Sequence, residues 1–126
     1  QFGLAVVDFT SLAKDVRTVW GAEAKYQLAN CYFNLNAIDM AEQEIMSFTQ
    51  LQTSHQYWLA KSLILLADIN LQRGEIFQAK QYLLALQSNY KLQDDIPTII
   101  QDKLQHIAQL EQLSTEVTPE TEEETL

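Results

Sequence analysis

The chain has 126 residues and a formal net charge of −9. Apolar residues make up 47% of it, while only three Gly and two Pro occur, so there is material for one core and little turn chemistry, which argues against an all-β fold. Five of the 17 acids are glutamates of 114–126, which leaves 12 acids against 8 bases in the body and argues against nucleic acid or an anionic membrane surface as the main partner.

In chain order, the first segment is residues 3–15. Ala5, Phe9 and Leu12 have the spacing of Ala41, Ile45 and Phe48 further on, so this segment reads as a second-type (B) helix that lacks its first-type (A) partner. Its Val6, Val7, Phe9, Leu12 and Val16 form an apolar stripe, expected to be open for self-association or for docking of upstream repeats. Residues 18–51 then read as a helix pair, with A over 18–35 and B over 37–51. Residues 54–90 read as a second pair, with A over 54–73 and B over 75–90. Gly74 takes the second A-to-B turn, where a helix end favours Gly, and Asn36, the next best residue there, takes the first. Thr53 and Gln56 have the spacing of a capping box. Asp94 and Asp95 before Pro97 mark the start of a last helix over 95–113, with Ile96, Ile99, Ile100, Leu104, Ile107 and Leu110 on one stripe. Its other face, with Gln101, Asp102, Gln105 and Gln109, is polar, as a terminal cap requires. Residues 114–126 read as an acidic, flexible tail.

The two pairs are copies. Shifted by 38 residues, Trp20 falls on Trp58, Ala22 on Ala60, Leu28-Ala29 on Leu66-Ala67, Ile38 on Ile76, Ala41 on Ala79 and Gln43 on Gln81, with no gap. Leu66 falls in turn on Leu104, so the last helix takes the place of a third A helix. The second A helix is apolar on two sides, through Leu59, Leu63 and Leu66 and through Ala60, Ile64, Ala67 and Leu71, and is expected to be buried between neighbours.

This pattern resembles the tetratricopeptide repeat (TPR). The residues that carry the resemblance are Leu28, Ala29, Tyr32 and Ala41, then Leu66, Ala67, Asn70 and Ala79, where small side chains let paired helices approach closely. The chain departs from the family at its early Trp position (Lys25, Leu63), its second helix B Ala (Phe48, Leu86) and its closing Pro (Thr53, Lys91). The resemblance implies an all-α fold of about six helices, with antiparallel helix pairs stacked in a right-handed α-solenoid over 1–113. It also extends to the C-terminal part of bacterial multi-repeat cell-envelope proteins, which implies the end of a longer array and favours the periplasm or envelope over the cytoplasm.

For function, the resemblance implies a protein-binding scaffold whose A helices line the binding face. Carried over position by position, that face holds Glu23, Tyr26, Asn30, Phe33 and Asn34, then Lys61, Ile64, Asp68, Leu71 and Gln72, and its partner is a protein or peptide. The cluster with which some repeat domains hold a terminal carboxylate is matched only at Asn30, the other positions carrying Tyr26 and Leu65. The alternative is a structural or oligomerisation end segment without a ligand site. No enzymatic activity, cofactor or metal is expected. His55 reads as a solvated loop residue, and His106 sits beside the last stripe with nothing converging on it. Cys31 reads as a buried structural thiol. Glu42 and Glu44 read as solvated, and Trp20 and Trp58 as packed between repeats. The longest apolar run, Leu63 to Ala67, is far too short to span a bilayer.

Overall fold

The computed structural model describes the backbone of residues 2–51 and 53–125; the side chains of Phe2, Leu4, Val7 and 115–125 lie outside what it describes. Six α-helices follow one another: α1 (Phe2–Leu12), α2 (Val19–Asn34), α3 (Ile38–Gln50), α4 (Gln56–Gln72), α5 (Ile76–Asn89) and α6 (Ile96–Thr125). No strand occurs among the described residues. The backbone of α6 continues past Leu113, where the acidic tail was expected to begin; beyond Ser114 that tail lies outside the described side chains.

The turns repeat with the sequence. Asn36 (φ 63°) and Gly74 (φ 79°) are the positive-φ residues among those described, and they stand 38 apart. Each is followed by the same bonds. Ala37 N–H reaches the Tyr32 carbonyl and Glu75 N–H the Asn70 carbonyl, both at 2.8 Å, so helix ends that would leave carbonyls bare are closed by a left-handed residue. Ala37 (φ −91°, ψ 66°) and Glu75 (φ −91°, ψ 67°) then open the B helices in nearly identical conformations.

The entries to the A helices differ from one another. Thr18 caps α2, its Oγ1 accepting from Gly21 N–H at 2.9 Å. The expected capping box at α4 does not form. Its N-cap residue is His55, without a side-chain cap bond. Thr53 Oγ1 instead donates to the Val16 carbonyl at 2.8 Å and accepts from His55 N–H at 3.1 Å, because the preceding inter-helix loop lies within reach. His55 Nε2 is 2.9 Å from the Arg17 carbonyl, so this residue is a half-buried tie between successive loops and not a solvated one. Asp94 accepts from Ile96 N–H at 2.9 Å at the head of α6.

Packing runs along the chain. α1 packs on α2, α2 on α3 and α4, α3 on α4, α4 on α5 and α6, and α5 on α6; among the described residues no helix contacts one more than two places away. The core is accordingly a series of clusters. Ala13, Ala24 and Leu28 join α1 to α2. Ala29, Ala41, Ile45, Leu65, Leu66 and Ile69 join α2, α3 and α4. Ala60, Ile64, Ala67, Ala79, Leu83, Ile96, Ile100 and Ile107 join α4, α5 and α6. Ala29, Ala41, Ala67 and Ala79 are at most 1% exposed, as close helix approach demands. Each fully buried Ile or Leu contributes about 1.5–3 kcal/mol, so α4, which supplies six buried apolar side chains, holds the two halves together.

Three expectations need correcting here. The N-terminal stripe is not an open face. Val6 and Phe9 pack against the α1–α2 cluster and Val16 is buried beside Ala22 and Phe48, because α2 covers the apolar side of α1; Leu12 alone is exposed, and the Val7 side chain lies outside those described. Glu42 and Glu44 are paired, not merely solvated. Glu42 accepts from Arg73 at 3.0 Å, and Glu44 accepts from Lys25 at 2.6 Å with side-chain exposures of 24% and 11%. That pair bridges α2 and α3. Finally, Trp58 is half-buried between repeats, but Trp20, its counterpart, is 70% exposed, since no described residue covers it on the side where Tyr26 covers Trp58.

Candidate functional site

Residues spaced three and four apart share one helix face, and one such face of α2, α4 and α6 meets in a groove of about 300 Å³. From α2 come Tyr26, Asn30, Phe33 and Asn34. From α4 come Lys61, Ile64, Leu65 and Asp68, and from α6 Ile99 and Lys103. Ile64 and Leu65 are buried and form part of the floor, with Phe33 and Ile99 half-buried beside them.

The polar groups hold one another in place. Lys103 Nζ reaches across from α6 to both Asp68 carboxylate oxygens, at 2.9 and 3.2 Å, and so ties the third wall to the second. Lys61 Nζ lies 5.4 Å from the Tyr26 ring centroid, a cation resting on an aromatic face. The Tyr26 ring in turn packs on Trp58 (5.8 Å between centroids, 33° between planes), and Trp58 meets Tyr57 edge-on at 5.0 Å. Burial pushes the Tyr26 phenol above its ordinary range, with the Asp68 charge adding to the effect. Asn34 Nδ2 donates to the Asn30 carbonyl at 2.7 Å and to Asn30 Oδ1 at 3.3 Å, which orients both amides along the rim.

Of the ten residues expected on the partner-binding face, Tyr26, Asn30, Phe33, Asn34, Lys61, Ile64 and Asp68 come together in this groove. Glu23 and Gln72 do not line it; Glu23 lies one turn before Tyr26, and Gln72 is exposed at the C-terminal end of α4. Leu71 packs, half-buried, against the α4–α6 core cluster. Sequence reasoning missed the third wall. The signal was present, because the 38-residue shift carries Lys61 onto Ile99 and Leu65 onto Lys103.

A second hollow, about 490 Å³, lies on α5 beside Phe77, Gln78, Gln81, Tyr82 and Ala85. It is the larger of the two, yet all its walls belong to one helix and no charged groups converge on it. Cys31 is buried at 3% exposure, and burial pushes its thiol up, away from the reactive thiolate. Among the described residues no three His, Cys, Asp or Glu side chains stand where they could hold a metal ion, and no helix is long and apolar enough to cross a membrane.

Comparison of the chain with protein-family models, with curated proteins and with solved structures finds no match.

Proposed function

We propose that this chain is a TPR-like repeat domain, its helix pairs stacked as a right-handed solenoid, and that it serves as a protein–protein interaction scaffold. A peptide or a segment of a partner protein lies in the groove across α2, α4 and α6. The observation that carries this reading is the convergence of three register-related helix faces on one hollow, which combines an apolar floor with fixed amides and charges. Pockets that bind combine a concave shape with apolar surface and a few placed polar groups. The shared turn geometry at Asn36 and Gly74, 38 residues apart, supports the stacked-pair architecture.

The test is a double substitution, Tyr26→Ala with Asn30→Ala, in affinity capture from the native cell. Helical circular dichroism is expected to persist, and partner capture to be lost. Capture at the wild-type level by a folded double variant would overturn the reading.

A further inference from the structure

The placement of the basic side chains says what kind of peptide the groove suits. The chain has eight Lys and Arg. Arg17, Lys25, Arg73, Lys80 and Lys103 each meet a carboxylate of the chain itself. Lys14 and Lys91 are exposed to water. Lys61 is different. It is half-buried and lines the groove, and among the described residues it has no carboxylate partner, only the Tyr26 ring. A partly desolvated ammonium gains from a ring face, but an anion stabilises it more. With Asp68 neutralised by Lys103, the groove carries one uncompensated positive charge inside a molecule of net charge −9. The Asn30 NH₂ group adds a donor without a partner among the described residues, since in the Asn30–Asn34 bonds Asn30 is the acceptor.

We propose that the groove takes an extended peptide segment bearing an internal acidic side chain. Its carboxylate sits on Lys61, and a neighbouring apolar side chain enters against Phe33 and Ile99. Charge complementarity selects this occupant: the surface as a whole carries net negative charge, and within the groove an acidic side chain is attracted where Lys61 is bare and partly desolvated. The proposal rests on the reading of the groove as the binding site.

The experiment uses fluorescein-labelled, N-acylated and C-terminally amidated heptapeptide pools with a central Leu followed by Glu, Gln or Lys, titrated into the full chain by fluorescence anisotropy. The Glu pool is expected to bind about tenfold more tightly than the Gln pool at low salt, and to lose that margin as salt screens the contact. Lys61→Met, which keeps the aliphatic stem, should equalise the two pools, while Lys61→Arg should keep the preference. Equal binding of Glu and Gln pools, both lost in the Tyr26→Ala, Asn30→Ala variant, would overturn the acidic assignment and leave the groove standing. Strongest binding of the Lys pool would overturn it in favour of Asp68. A preference seen only with free-acid peptides would assign the charge to a chain terminus and overturn it as well. Binding of the Glu pool that ignores both the Lys61 and the Tyr26/Asn30 substitutions would place the peptide elsewhere and overturn both readings.

Discussion

Gly21 is buried at the start of α2, and its missing side chain decides how the preceding loop can lie. A Cβ built there would come within 1.7 Å of the Asp15 carbonyl oxygen and 2.5 Å of its carbon, both backbone atoms. The loop from Asp15 to Thr18 therefore rests directly on the first turn of α2, and the Thr18 cap depends on that approach. Gly21→Ala should destabilise the fold by about 3 kcal/mol, since backbone cannot yield as a flexible side chain does; chemical denaturation with an unchanged midpoint would contradict this. Asn70 makes the opposite case. It is 5% exposed, and its Nδ2 has no hydrogen-bond partner among the described residues. Its counterpart in the first pair is Tyr32, which packs against two core clusters. An orphaned buried donor costs about 1–3 kcal/mol, so Asn70→Leu should raise stability by an amount of that order, read as a higher midpoint with no change in slope. Neither effect was visible in the sequence, where Gly21 was one of three scattered glycines and Asn70 a filled motif position.

Among the elements, α6 is held by a mixed set of tethers. Its apolar side packs through Ile96, Ile100 and Ile107. At its head, the Tyr57 hydroxyl donates to Asp95 at 3.3 Å and the Tyr90 hydroxyl donates to Asp94. Both phenols are raised above their ordinary 10.0, first by burial and then by these bonds to carboxylates. The protonated phenol is thus favoured in the folded state. Its contribution is fully present below the unfolded value of about 10 and is lost as pH rises beyond it toward the higher folded values. Thermal stability should fall above about pH 10 more steeply in the wild type than in the Tyr57→Phe, Tyr90→Phe double variant, which lacks both ionisations. Melting curves that fall in parallel for the two proteins would count against the latch. Much of α6 was legible beforehand, since Asp94, Asp95 and Pro97 announce its start and the isoleucine stripe its buried side. The tyrosines were not, because both bonds reach α6's head from other segments, one of them from 38 residues away.

At the scale of the molecule, the two tryptophans measure what the repeat does. Trp58 is covered by Tyr26 of the preceding A helix and packs beside Val16, Ala22 and Phe48. Trp20 holds the same register without such a neighbour. Trp58→Ala should therefore cost about 3 kcal/mol, whereas Trp20→Ala should stay within about 0.5 kcal/mol of wild type. Equal losses in thermal or denaturant unfolding would show that the repeat register does not govern their packing.

The sequence by itself determined the helices, their 38-residue register, the places of the two A-to-B turns and seven members of the groove. These follow from local periodicity and from backbone constraints that a few residues carry with them. The tertiary structure alone decided that Glu42 and Glu44 would find Arg73 and Lys25, that α2 would cover the stripe on α1, and that Lys61 would be left, among the described residues, with only a ring for company. Those outcomes depend on which faces meet across distant segments. A pattern of spacings shows which residues share a face, but only packing shows what that face meets.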